Sequence, residues 1–544
     1  MSAPRSQVSR MTENEWTVMV FFAGDPRLSP SMTAQLKALK DAGFQDQTTV
    51  LVHYDPNEKR VATTIFEINR ARKNLLKEQG VAATNIGDGR DPFVRNLIED
   101  RIEKVIPKTT NATDALKNFL TYGLETKTKH YLVFLVGHGV IVGNDFFLPD
   151  HHPEETGITL KHLGEILNDF QSRAKDNGSE VELIGLHSCS MSALEVAYEL
   201  KGAAKYLLAT EGSSFVTSWP YRQVMKKILN AVQREGENVE VDGLVRSIQQ
   251  LSLHNSKDFM FSGLSADVCL CSLEPSRVDD LTAPVQNLTK ALKAGLNDTR
   301  GLELIKLAHL EAQSYFEETY TDLYDFCLCL ERQCKQTDPI QKAMADACGV
   351  VRGKLEEAPG NVIIQADFFG PVFQYSHGLS VFFPWARPIE DEPLIPGDTM
   401  LGRYEKYKFT EELKDDSWLS FLNAYFSTTL RDSREVEDKS DQASRNGTKR
   451  AANIADEIVS SSGGSSGANG GETLASPEKP NSTLDKPNSS LDKPNSRLEG
   501  DGCGCIIKNY PMQFSIRSPR AQKEYSPDES AAAQAQTHSA PVTG

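Results

Sequence analysis

The chain lacks any long apolar run. No stretch reaches the roughly 18–20 residues that a membrane-spanning helix needs, so no span is expected. A positive balance is also missing: 59 Lys and Arg stand against 75 Asp and Glu, a formal net charge of −16. A general nucleic-acid binder presents a basic surface, so no nucleic-acid partner is expected. The first residues, MSAPRSQVSRMTENEW, include basic side chains but no apolar h-region, and no secretory signal is read there. Nine cysteines are present, yet none falls in the C-x2-C…C-x2-C spacing of a zinc module. Reduced thiols and a cytoplasmic location follow as expectations. Neither G-x-G-x-x-G nor a P-loop follows an early strand, which sets a nucleotide-binding crevice aside, and H-E-x-x-H is absent.

Strand-like and helix-like segments alternate instead. WTVMVFFAGD (16–25) and TTVLVHYDP (48–56) read as buried strands, with a helix over 32–43 between them and a shorter strand at 61–68. That alternation predicts a parallel α/β sheet covered on both faces. Residues 69–110 are charged and read as a loop with a helix near 92–104. Asn111 or Thr113 caps the next helix, which uses Leu116, Phe119 and Leu120. Strands follow at 131–136, 181–186, 204–210 and 261–274. Helices are expected at 158–170, 190–200, 218–232, 242–252 and 275–296, with an exposed loop at 172–180. Residues 301–358 read as mostly helical, 375–385 as a late strand, and Trp418, Phe421, Leu422, Tyr425 and Phe426 as a last short helix. Cys269/Cys271 and Cys327/Cys329 are C-x-C pairs best explained as core packing.

Composition changes near residue 430. A Gly/Ser stretch at 460–471 leads into KPNSTLD, KPNSSLD and KPNSRLE (479–499), and a proline in every unit excludes a coiled coil. This reads as a disordered linker. Residues 503–516, with Cys503 and Cys505, are the one apolar piece of the tail and are open to two readings, a segment that docks a partner or more disorder. The C-x-C there is too far from the end for a prenylation box.

Two apolar runs end in reactive side chains: YLVFLVGHG at His138 and VELIGLHSC at Cys189. In an open parallel sheet, ligands bind at the carboxyl ends of strands, so adjacent parallel strands would bring both side chains to one crevice. A helix starting at the cysteine would favour the thiolate. Histidine titrates near neutral pH and suits proton transfer, and Gly139 leaves a backbone N–H able to face an oxyanion. The plainer alternative for such a cysteine is a buried packing role.

Several stretches, in order, resemble the clostripain family of cysteine endopeptidases, of the caspase-like group of folds. WTVMVFFAGD is similar to the family's opening strand and LVHYDP to its second. YLVFLVGHG is similar to the histidine strand and LIGLHSCSMSALEVAYEL to the cysteine segment. LLATEGSSF with WPY (219–221), DLYDF (322–326) and SHGLSVFFP (376–384) resemble later landmarks. The resemblance implies a three-layer α/β sandwich whose mainly parallel central sheet is flanked by helices. Residues 15–428 would form the peptidase domain, with a catalytic core over about 15–275 and an extension over 276–428. Residues 1–14 and the tail (linker 429–502, end 503–544) would be disordered.

The resemblance further implies a Cys–His dyad: Cys189 the nucleophile, His138 the base and acid, with the N–H groups of Gly139 and Cys189 at the oxyanion. It implies protein or peptide substrates and no required cofactor. The family's pocket aspartate is His187 here, which supplies no fixed negative charge, so selectivity for a basic residue is not carried over; Glu211 lies near a second acidic pocket position. Self-activating members cut between His and Cys, which makes Arg173 and Lys175 the candidate self-cleavage residues and helical Lys161 a poorer one. Two metal readings compete with a solvated surface. One is calcium on Asp145, Asp150, Glu154 and Glu155. The other is zinc on His138, His151, His152, His162, His187 and Cys189, although no metal ligand is assigned. The rival function is a catalytically silent caspase-like binding or regulatory module.

Overall fold

The computed structural model describes residues 14–24, 28–55, 63–86, 102–106, 111–139, 158–255, 265–316, 318–388 and 399–428. The elements up to Asn423 belong to one compact unit. The aromatic patch at 146–150, His151, His152, the acidic residues read for calcium, the repeats and the 503–516 segment lie outside the described residues.

In chain order come β1 (Trp16–Phe22), α1 (Ser29–Asp41), β2 (Thr48–Tyr54), β3 (Thr63–Glu67), α2 (Arg70–Glu78) and β4 (Ile102–Ile106). Next are α3 (Ala112–Leu124), β5 (His130–Val136), α4 (Leu160–Asp176), β6 (Glu180–His187), α5 (Leu194–Glu199) and β7 (Tyr206–Ala209). They are followed by α6 (Tyr221–Glu235), α7 (Val241–Asn255), β8 (Ala266–Ser272), α8 (Pro275–Asp279), α9 (Thr282–Leu296) and α10 (Thr299–Glu311). The last are β9 (Ser314–Tyr315), β10 (Tyr320–Asp322), α11 (Leu323–Gln333), α12 (Pro339–Leu355), β11 (Ile363–Phe369), β12 (Ser380–Phe382), α13 (Met400–Tyr404) and α14 (Lys408–Leu413). A further helix starts at 418.

Among the described residues, nine strands form one sheet in the order β11-β8-β7-β6-β5-β1-β2-β3-β4. The five central strands, β7 to β2, are parallel, and two antiparallel strands extend each edge. The centre matches the expected parallel sheet; the edges do not. The stretch from Tyr54 to Thr63 is too short for the crossover of a dozen or more residues that a parallel neighbour requires, so β3 folds back on β2. Of the helix expected near 92–104, the described part, 102–104, belongs to strand β4, and α2 occupies what was read as loop. Sequence patterning also missed β11, an edge strand on β8.

Strand handedness sets the layers. A right-handed crossover from β1 to β2 puts α1 on one face, while β5 to β6 and β6 to β7 step the other way and put α4 and α5 on the opposite face. Helices α1, α6 and α7 pack in series, as do α3, α4 and α5. The fold is thus an α/β sandwich of the caspase-like kind. The direction of winding reverses between β1 and β5, and the crevice at such a switch point is where ligands bind in open α/β sheets.

Other expectations need correction. Helix α4 runs through 172–176, where an exposed loop was expected. Thr159 caps its start, Phe170 and Ala174 are buried, and Gly178 ends it at φ 75°. The single helix read over 275–296 is two, α8 and α9. The late strand shrinks to β12, which pairs with β10 in a separate three-stranded antiparallel sheet, β12-β10-β9. Cys269, Cys271, Cys327 and Cys329 are buried and form no disulfide, the second pair on helix α11. Among the described residues, no helix is long and apolar enough to cross a membrane.

Candidate active site

Strands β5 and β6 run parallel with Val136 opposite His187. His138 and Cys189 are therefore each two residues beyond a matched pair, at the carboxyl ends of neighbouring strands. The Gly137 N–H donates to the His187 carbonyl at 3.4 Å, which carries the ladder past the strand ends. Gly139 then lies against the Cys189 peptide. A Cβ on Gly139 would overlap the Cys189 carbonyl oxygen and sit 2.7 Å from its nitrogen. Only glycine permits that approach. His138 is partly exposed, and Cys189 retains 2% of its surface.

The cysteine does not open a helix. Helix α5 starts at Leu194 and has six residues, all buried. The intervening chain instead makes a turn and an extended step, fixed by a facing loop at 210–214. Ser190 is left-handed, at φ 53°. Its N–H donates to the Gly212 carbonyl at 3.0 Å, and its hydroxyl to the Glu211 carbonyl at 3.1 Å. The Ser192 N–H donates to the Thr210 carbonyl at 2.9 Å. These long-range bonds compete with helix formation, and local propensity loses to them. The Cys189 sulfur accepts the Ser214 N–H at 3.3 Å, and the thiol faces the Ser214 carbonyl at 3.6 Å.

His187 is 1% exposed and stacks flat on Trp219, with ring centroids 4.4 Å apart and planes at 4°. Its Nε2 lies 2.7 Å from the Phe215 carbonyl and 3.3 Å from the Ser218 hydroxyl. A carbonyl only accepts, so Nε2 carries a proton, and Nδ1 lies 3.1 Å from the Tyr221 hydroxyl. A small cavity beside the cysteine loop is lined by Thr210, Ser213, Ser214, Phe215, Ser218 and Trp219 on one side, and by 265–268 on the other. Neither His187 nor Glu211 is part of its lining.

Glu211 is fully buried. Its Oε2 accepts the Gly378 N–H at 2.9 Å. Burial, and then the nearby Asp322 and Asp267, push its carboxyl well above the usual range. Asp267, on β8, accepts the N–H groups of Glu211 at 2.6 Å and Gly212 at 3.0 Å. Burial pushes it up to about 6, against the pull of those two donors. Both carboxyls are thus harder to ionise than exposed ones. Ser214, Trp219, Tyr221 and Asp267 were not singled out from sequence as site residues. An acid inside the buried strand ADVCLCS was the one available signal for Asp267.

Arg173 and Lys175 are exposed but lie in the last turn of α4, where Arg173 faces Thr121 at 3.2 Å and Asp169 at 3.5 Å. They are not in the exposed loop expected of a cleavage site. Among the described residues, no three His, Cys, Asp or Glu side chains gather to hold a metal. His162 is exposed on α4.

The topology and the paired strand ends define a caspase-like α/β protein. Residues 33–383 match the model of the clostripain family, peptidase family C11, and the chain belongs to that family. It is a cysteine-type peptidase, a hydrolase acting on peptide substrates. No curated protein sequence matches the chain. Among solved structures, it is similar to a secreted C11 cysteine protease from Bacteroides thetaiotaomicron bound to an irreversible peptide inhibitor. The identity is 13% and the TM-score 0.47, over 76% of this chain and 99% of the other. An inactive zymogen C11 protease from Parabacteroides distasonis is similar at 15% identity and TM-score 0.45, over 74% of this chain and 99% of the other. Another structure of a secreted C11 protease from B. thetaiotaomicron, "iotapain", has 13% identity and TM-score 0.44, over 74% and 100%. The expected cytoplasmic location does not stand, because similar proteases are described as secreted. Unpaired thiols are a poor guide to compartment here.

Proposed function

We propose that the chain is a cysteine endopeptidase working through Cys189 and His138. His138 takes the thiol proton as the Cys189 sulfur bonds to the carbonyl carbon of the peptide. The carbonyl oxygen gains the negative charge and faces the N–H groups of Gly139 and Cys189. As the C–N bond breaks, His138 gives its proton to the leaving amine, and a thioester remains. Water attacks the thioester, His138 takes its proton, and the acid product and the thiol are released. The observation that carries this reading is the backbone contact of Gly139 with Cys189, which holds the two strand ends together. The six-residue α5 starts too late to activate the thiol, so activation falls to His138.

Selectivity follows from His187 and the serine-lined cavity. His187 is buried between Trp219, Tyr221 and the Phe215 carbonyl. The Asp267 carboxylate is occupied by two backbone N–H groups. His187 offers no negative charge to an arginine or lysine, and both Asp267 oxygens are already taken by backbone donors. The residue before the scissile bond is therefore polar and uncharged rather than basic. Cleavage of a peptide library varied at that residue, with Cys189→Ala as control, tests both parts. Turnover lost in the variant supports the dyad, and turnover confined to Arg or Lys peptides contradicts the selectivity. Equal turnover by both proteins contradicts the dyad, and none by either leaves the silent binding module as the reading.

A further inference from the structure

A buried carboxylate lies two hydrogen bonds from the nucleophile's turn, and the proposed chemistry leaves it unused. Asp267 Oδ2 and Oδ1 accept the N–H groups of Glu211 and Gly212 at 2.6 and 3.0 Å. The carbonyls of those same two residues accept from the Ser190 hydroxyl and N–H, at 3.1 and 3.0 Å. Ser190 is the left-handed residue that turns the chain after Cys189. Two residues beyond Gly212, the Ser214 N–H meets the Cys189 sulfur at 3.3 Å. One carboxylate thus fixes both the turn that carries the thiol and the loop that faces it.

We propose that Asp267 is a positioning residue for Cys189, its ionised carboxylate clamping the 211–212 backbone so that the thiol points at the substrate carbonyl. This rests on the reading of Cys189 as the nucleophile. Asp267 does not contact the thiol in this role. It acts through Glu211, Gly212 and Ser190.

The clamp needs the ionised form. A carboxylate is acceptor-only and takes both N–H groups, whereas a carboxylic acid turns one oxygen into a donor. The surroundings decide when that happens. Facing Asp267 are Glu211 on the loop after β7, Asp322 at the end of β10, and Tyr315 on β9. Cys269 lies on its own strand near Glu211, and His377 lies beyond Asp322. Asp367 on β11 pairs with Val268 and so belongs to the other face of the sheet. Burial leads these influences, and Asp267 protonates near pH 6. The clamp is therefore intact above that pH and lost below it. Stability runs the other way. A carboxyl raised in the folded state stabilises the fold below its unfolded value, and that contribution is lost as pH rises through about 6. Activity and stability then move in opposite directions across one window, which a purely structural residue would not produce.

The test measures alkylation of the thiol by a peptide acyloxymethyl ketone, together with kcat and KM on a peptide substrate, from pH 5 to 8. Wild type, Asp267→Asn, Asp267→Glu and Cys189→Ala are compared, with folding checked by thermal unfolding. At pH 7.5, Asp267→Asn is expected to slow alkylation and kcat by roughly 10–100-fold, the scale of a misplaced reacting group, with KM little changed. The ratio of wild type to Asp267→Asn should approach one at pH 5. Any effect of His138 titration is common to both proteins and cancels. Asp267→Glu should recover part of the rate. An Asp267→Asn rate equal to wild type, or a ratio that does not change with pH, overturns the proposal. A folded Asp267→Glu as slow as Asp267→Asn, with the same profile, also overturns it. If Asp267→Asn does not fold, Asp267→Glu decides against wild type: a shifted acid limb supports the clamp and an unchanged one overturns it. Labelling that persists in Cys189→Ala defeats the nucleophile assignment instead, a different failure from a fast Asp267→Asn.

Discussion

Gly139 and Cys189 meet backbone to backbone: a Cβ on Gly139 would lie 2.7 Å from the Cys189 nitrogen and overlap its carbonyl oxygen. The contact joins the end of the histidine strand to the end of the cysteine strand. Gly139→Ala should therefore push the two ends apart and lower kcat/KM by roughly 100-fold or more, through misplaced groups. The global fold should persist, because Gly139 lies beyond β5. Peptide hydrolysis with parallel thermal unfolding checks this. Unchanged kcat/KM would contradict it.

His187→Asp should not create a preference for arginine or lysine. It would remove the stack on Trp219 and leave a carboxylate facing the Phe215 carbonyl. Burying a charge against a carbonyl oxygen costs about 2–5 kcal/mol. Chemical denaturation should show that loss, and the peptide library should show no gain for basic residues.

Glu211→Gln should be well tolerated. The carboxyl is raised well above its ordinary value by burial, so the wild-type fold favours its protonated form. That contribution is present at low pH and lost as pH rises through the raised value. The glutamine does not titrate, so its stability relative to wild type should increase with pH. Thermal unfolding from pH 5 to 9 reads this directly, and a relative stability that falls with pH contradicts it. Glu211→Ala, which removes the acceptor for the Gly378 N–H, should destabilise at every pH.

Arg173 and Lys175 should not be self-cleavage sites, because both lie in the last turn of α4. Arg173→Gln with Lys175→Gln should leave the pattern of chain fragments unchanged by mass spectrometry. Loss of a fragment ending at either residue would contradict that.

The reactive strand ends were legible because local patterning carries them. β1, β2 and β5 are short apolar runs ending near Gly, Asp or Pro, β6 is one ending at His187, and strand periodicity needs no partner to be recognised. Their parallel order also follows from the alternation with helices. The edges were not legible, since β11 meets β8 only through pairing across the chain. The start of α5 was misread for the same reason. The SMSALEVAYEL run has helical composition, but the carbonyls of Thr210, Glu211 and Gly212 claim the donors of its first turn. Glu211 read as a pocket acid until Gly378 and Asp267 were found beside it. Compartment was misjudged because unpaired cysteines pack well in a core anywhere.

The most direct measurement is to map where a peptide acyloxymethyl ketone bonds. Wild type, Cys189→Ala and His138→Ala are treated under identical conditions, digested and sequenced by mass spectrometry. The dyad predicts a single thioether on Cys189, none anywhere in Cys189→Ala, and labelling slowed by roughly 100-fold or more in His138→Ala. A label on another cysteine, or wild-type labelling of Cys189 without His138, would contradict it.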